Sequence, residues 1–97
     1  MPVYISLVNY TDQGIRNIKQ SPTRLDAVKD VLRKMGGKMR DFFLTMGPFD
    51  AVLIAELPDD ETAARFALAI ASQGNIRTTS LVAFTEERYR AIIGGLG

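Results

Sequence analysis

The apolar positions of this chain fall into blocks whose period changes along the sequence. Val3 to Asn9 is apolar or β-branched on both parities, which predicts a strand covered on both faces. Thr11 or Asp12 can cap a short helical turn through Ile15 and Ile18. Leu25, Val28, Leu32 and Met35 recur at helical spacing, with Arg24, Lys29, Asp30 and Arg33 mostly on the rest of the cylinder. Ser21-Pro22 supplies an N-cap followed by proline at the first helical position, and Gly36-Gly37 stops the helix. Lys38 to Met46 alternates loosely around Phe42, Phe43 and Leu44, Gly47-Pro48 turns the chain, and Phe49 to Leu57 completes a hairpin. Asp59, Asp60 and Glu61 open a second helix with carboxylates near its positive end. Its many alanines let it lie close against a sheet. After Gly74, Ile76 to Phe84 reads as a fourth strand, and Thr85-Glu86-Glu87 caps a last helix carrying Tyr89, Ile92 and Ile93.

This order, β-α-β-β-α-β with a C-terminal helix, predicts an α+β ferredoxin-like fold. Two split βαβ units give a four-stranded antiparallel sheet with helices on one face, as a single domain over residues 1–97. The other face is the difficulty. Tyr4, Ser6 and Val8 alternate with Val3, Ile5 and Leu7, and Val52 and Ile54 alternate with Ala51, Leu53 and Ala55. Both faces are too apolar for either to be left in water. A chain of 97 residues also builds only a thin core. A second copy packed sheet to sheet answers both points, so a homodimer or higher homo-oligomer is expected.

Composition then narrows the chemistry. Twelve basic residues nearly balance eleven acidic ones with no basic stripe, which argues against nucleic acid as a partner. There is no cysteine and no histidine. Disulfides, thiol nucleophiles, thiolate metal sites and histidine-based triads are excluded, and no metal or cofactor is expected. No apolar run approaches the roughly 20 residues of a membrane helix. The N-terminal MPVYISLVNY reads as a strand rather than a signal peptide, so a cytoplasmic protein with no membrane partner is expected.

The blocks VNYTDQG, SP.R, MG and GN.RT, in this order and spacing, resemble the GYD domain family along nearly the whole chain. The family is named for a Gly-Tyr-Asp corner. Here that corner reads Gly47-Pro48-Phe49-Asp50, with Phe49 in place of the tyrosine, so any role for a phenol there is absent while aromatic packing survives. The resemblance implies the dimeric α/β-barrel arrangement. It implies no particular reaction.

Asp50 stands where the Gly-Pro turn meets a strand. Its carboxylate can accept backbone N–H bonds across the tight hairpin, stabilise the Gly47-Pro48 turn, or act as a general base or an anchor for a cationic ligand; a structural role is favoured. Asn9 and Tyr10 end the first strand beside the helical turn, a place where binding groups often sit. Arg77 begins the fourth strand and can clamp an anion in bidentate fashion, pair with an acid at an interface rim, or stay solvated. With helices closing one sheet face, a small molecule is expected between two packed sheets, near the strand ends. Asn9, Tyr10, Thr45, Asp50, Arg77 and Thr79 are the polar groups available there, and Phe43 and Phe49 the apolar walls. No residue is assigned a catalytic role. The functional expectation is a homo-oligomeric small-molecule-binding module. Two alternatives remain open: a cofactor-free oxygenase or isomerase of a small aromatic metabolite, and a purely structural assembly unit.

Overall fold

A computed structural model describes residues 1–97. The chain runs β1 (Val3–Tyr10), α1 (Asp12–Arg16), a 3-10 turn (Ile18–Gln20), α2 (Ser21–Lys34), β2 (Lys38–Leu44), β3 (Ala51–Glu56), α3 (Asp60–Ala71), β4 (Ile76–Ala83) and α4 (Glu86–Gly94). The four strands form one antiparallel sheet in the order β2-β3-β1-β4. This is the ferredoxin-like topology expected from the sequence. The two central strands are β1 and β3, the most apolar pair.

Capping chemistry sets most helix starts. Thr11, Asp59 and Thr85 each accept the backbone N–H three residues ahead, from Gly14, Thr62 and Arg88. Ser21 departs from its expected role. It has helical φ and ψ of −57° and −44°, whereas an N-cap residue needs an extended backbone. The 3-10 turn feeds directly into α2, making Ser21 the first helical residue, and Gln20 precedes it without a side-chain cap. At the other end, Gly36 takes φ of 84°, the left-handed conformation that stops the helix.

The loose alternation of β2 has a definite cause. Met39 pairs with Ala55 and Asp41 with Ile54, so Arg40 is an extra residue, a β-bulge. The bulge resets the parity. Met39 and Phe42, three apart, can therefore both pack against the core. The β2–β3 connection is also longer than the sequence suggests, with the strands ending at Leu44 and resuming at Ala51.

One face of the sheet lies under α2 and α3. Tyr4, Leu32, Leu53, Ala55, Leu57 and Phe66 form its buried core. The other face has no helix on it. Strand pairing places Ile5 beside Ile54 and Leu81, and Leu7 beside Val52 and Thr79, on that bare side. Ile5, Leu7, Val52 and Ile54 are partly exposed, and Leu81 is 46% exposed. Helix α4 has no buried residue, and its Tyr89, Ile92 and Ile93 are all exposed. The molecule measures 52 × 31 × 17 Å, elongated for its length.

Candidate functional site

The corner at Asp50 is held by backbone groups. The Asp50 carboxylate accepts the Tyr10 N–H at 2.9 Å, and the Asp50 N–H donates to the Val8 carbonyl at 2.8 Å. Asp50 thus extends the β1–β3 pairing one step past the last strand residue. The hairpin itself is closed by Thr45, whose N–H reaches the Asp50 carbonyl at 2.9 Å and whose hydroxyl reaches the Phe49 carbonyl at 2.7 Å. The sequence suggested an Asp50 acceptor across the hairpin or within the Gly47-Pro48 turn. Its partner is instead the neighbouring central strand.

The other candidate residues divide between two sides of the sheet. Asn9 lies opposite Arg77, Leu7 opposite Thr79, and Phe43 opposite Val52, so Asn9, Phe43, Arg77 and Thr79 share the bare face. Arg77 is exposed and makes no ion pair. Phe43 is 54% exposed. Tyr10 belongs to the opposite, helix-covered side, where its hydroxyl lies 3.4 Å from that of Ser21. Thr45, Phe49 and Asp50 stay in the β2–β3 connection.

The helix-covered face is not closed, contrary to the expectation from the sequence. A cavity of about 380 Å³ opens between α2, α3 and the sheet. Most of its wall is apolar, including Val28, Phe42, Leu53 and Phe66. The reason lies in the helices. Alanines at 27, 67 and 69 face a space that larger side chains would fill. Its polar wall includes Tyr10 and Arg24 but no carboxylate.

Acid–base machinery is sparse. The buried Tyr4 phenol donates to Asp60 Oδ1 at 2.6 Å. Burial, the hydrogen bond and the negative charge of Asp60 push its pKa up to about 12, so it stays protonated near neutral pH. Three carboxylates or more do not come together anywhere as a metal-binding group.

With this geometry in view, the relatives of the chain become informative. The family profile of the GYD domain matches residues 4–93. The chain belongs to the GYD domain family. A related protein of Thermus thermophilus, the "Glutamine synthetase and cystathionine beta-lyase binding protein", is 34% identical over 84 residues, which cover 86% of this chain and 88% of that protein. The crystal structure of TTHA0845 from Thermus thermophilus has the same fold, with a TM-score of 0.56 at 21% identity, over 88% of this chain and 95% of that one.

In this GYD domain, two of the sequence blocks that carry the resemblance meet in space. The Thr11 N–H donates to the Asn75 carbonyl at 3.1 Å, and the Gln13 side-chain amide donates to the Gln73 carbonyl and the Asn75 side chain, both at 3.0 Å. Gly14 sits so close to the Asn75 carbonyl that a Cβ there would overlap it. VNYTDQG and GN.RT are thus two halves of one joint, fastening α1 to the α3–β4 connection. Separation in sequence hid this pairing; the glycine in the first block was its only signal.

Proposed function

We propose that this GYD protein is a cytoplasmic, homodimeric binding module, acting as one unit over its 97 residues, whose target is another protein. The observation that carries this reading is the bare sheet face. Ile5, Leu7, Val52 and Ile54, on the two central strands, and Leu81, on the edge strand β4, form an apolar face that a packing partner can cover. A second copy supplies a surface of the same character, and a two-fold contact satisfies both at once. The exposed apolar residues of α4 are then available to reach beyond the sheet onto the partner subunit.

A protein target is supported by the related Thermus protein, which is named for binding glutamine synthetase and cystathionine β-lyase. It is supported also by the side chains. A carboxylate fixed on a backbone N–H and a phenol held protonated suit a scaffold better than a proton-transfer site. A small molecule held between the paired sheets is a second reading, favoured by the grouping of Asn9, Arg77 and Thr79 on the bare face.

Analytical ultracentrifugation tests the dimer, and titration of the purified protein against purified glutamine synthetase and cystathionine β-lyase tests the target. A dimer at micromolar concentration with saturable binding to either enzyme is expected. A folded monomer overturns the assembly; a dimer that binds neither enzyme removes the support taken from the relative.

A further inference from the structure

We propose that the cavity between α2, α3 and the sheet is a binding site for a small amphipathic anion, a carboxylate carried on an apolar chain or ring. It lies on the opposite side of the sheet from the proposed dimer interface, so it stands or falls independently of that reading.

The cavity has two chemically different ends. Tyr10 closes β1, Ser21 and Arg24 stand on the first turns of α2, and Gln73 and Asn75 belong to the α3–β4 connection. The remainder is mostly apolar, with Val28, Phe42, Leu53 and Phe66 among its walls and the hydroxyls of Ser6 and Thr78 on the sheet side. The spacing along α2 shows the change directly. Ser21, Arg24, Leu25 and Val28, at positions i, i+3, i+4 and i+7, all line the cavity, and they pass from polar to apolar along one face of the helix. A ligand matching this wall has a polar head and an apolar body. At about 380 Å³ the cavity falls within the size range of small-molecule sites.

Arg24 fixes the sign of the head group. Its Nη1 donates to the Asn17 carbonyl at 2.9 Å, which anchors the side chain. Its Nη2 has no hydrogen-bond partner and almost no surface open to the cavity, so an acceptor meets it only after a small shift of the side chain. A guanidinium keeps its charge at any ordinary pH, and a buried donor on a cation is costly unless an acceptor meets it. No Asp or Glu lines the cavity to serve as that acceptor. The Tyr10 and Ser21 hydroxyls, 3.4 Å apart, make only a weak bond with each other and are free to donate elsewhere. At this end one cation and the hydroxyls of Tyr10 and Ser21, with no competing carboxylate, favour an anion. The apolar remainder favours a carboxylate with a hydrocarbon body over a fully hydrated phosphate.

The test uses octanoate and octan-1-ol as probes of equal chain length and different charge, followed by amide chemical shifts in the whole protein. Saturable shifts at Tyr10, Val28, Leu53 and Phe66 are expected, with octanoate at least about tenfold tighter than the alcohol, the scale of a charge-assisted hydrogen bond. Arg24→Gln should abolish the preference while leaving the alcohol's affinity unchanged, and Arg24→Lys should keep part of it. The same amide spectrum reports whether each variant is folded. Equal binding of the two probes, no saturable shift with octanoate, shifts confined to the bare face, or a preference that survives in Arg24→Gln would each overturn the proposal. The wild-type comparison decides it alone should neither variant fold.

Discussion

The carboxylate of Asp50 and the backbone N–H of Tyr10, 40 positions apart, are joined by a 2.9 Å hydrogen bond. This contact ties the β2–β3 connection to the end of the central strand β1. Tyr10 is also the residue that turns its hydroxyl toward the cavity, so the corner helps to set one wall of it.

Removing the acceptor leaves the Tyr10 N–H without its partner. Asp50→Ala should lower stability by about 1–2 kcal/mol, and Asp50→Asn by clearly less, because an amide oxygen still accepts. Urea unfolding of both variants checks this. An Asp50→Ala protein as stable as the wild type would make the bond dispensable to the fold.

Ile54 lies beside Ile5 in the middle of the bare face. Ile54→Lys places a charge where the dimer proposal puts an apolar contact. The variant should sediment as a monomer while its far-UV circular dichroism stays unchanged. A variant dimer as tight as the wild type would show that this face is not the interface.

Burial of the Tyr4 phenol, together with its hydrogen bond to Asp60, makes stability depend on alkaline pH. The folded-state pKa is raised from 10.0 to about 12, so the native state holds this proton more tightly than the unfolded chain. Its contribution is therefore fully present below pH 10.0 and is lost as pH rises toward about 12. Tyr4→Phe should be less stable than the wild type near neutral pH, and the gap should narrow across that window. Paired denaturant titrations at several pH values measure the difference. A gap independent of pH would remove titration of the buried phenol as its cause.

Gly14 and Gly94 offer a matched contrast. A Cβ at Gly14 overlaps the Asn75 carbonyl, whereas nothing lies within 4 Å of one at Gly94. Gly14→Ala should destabilise by about 1–3 kcal/mol, the scale of an overpacked contact, and Gly94→Ala should be near neutral. Equal unfolding midpoints for the two would show that the α1 joint yields without strain.

Sequence by itself determined the order of elements, the two split βαβ units of one antiparallel sheet, and the alternation of side chains along β1 and β3. These are local matters: the period of Val3 to Asn9, the caps at Thr11, Asp59 and Thr85, and the stop at Gly36 act within a few residues. The apolar surplus that leaves one sheet face bare was legible too, because alternation is counted along the strand. Only the tertiary structure decided how distant pieces meet. It placed the Asp50 carboxylate on Tyr10 rather than across its own hairpin, fitted an extra residue at Arg40 so that Met39 and Phe42 share a face, and joined Gly14 to Asn75. It also opened a cavity where an alanine-rich helix promised close contact. Periodicity records which way a side chain points, but not how far away the facing surface stands. That distance depends on packing between segments far apart in the chain, and it is what separates a filled core from a binding site.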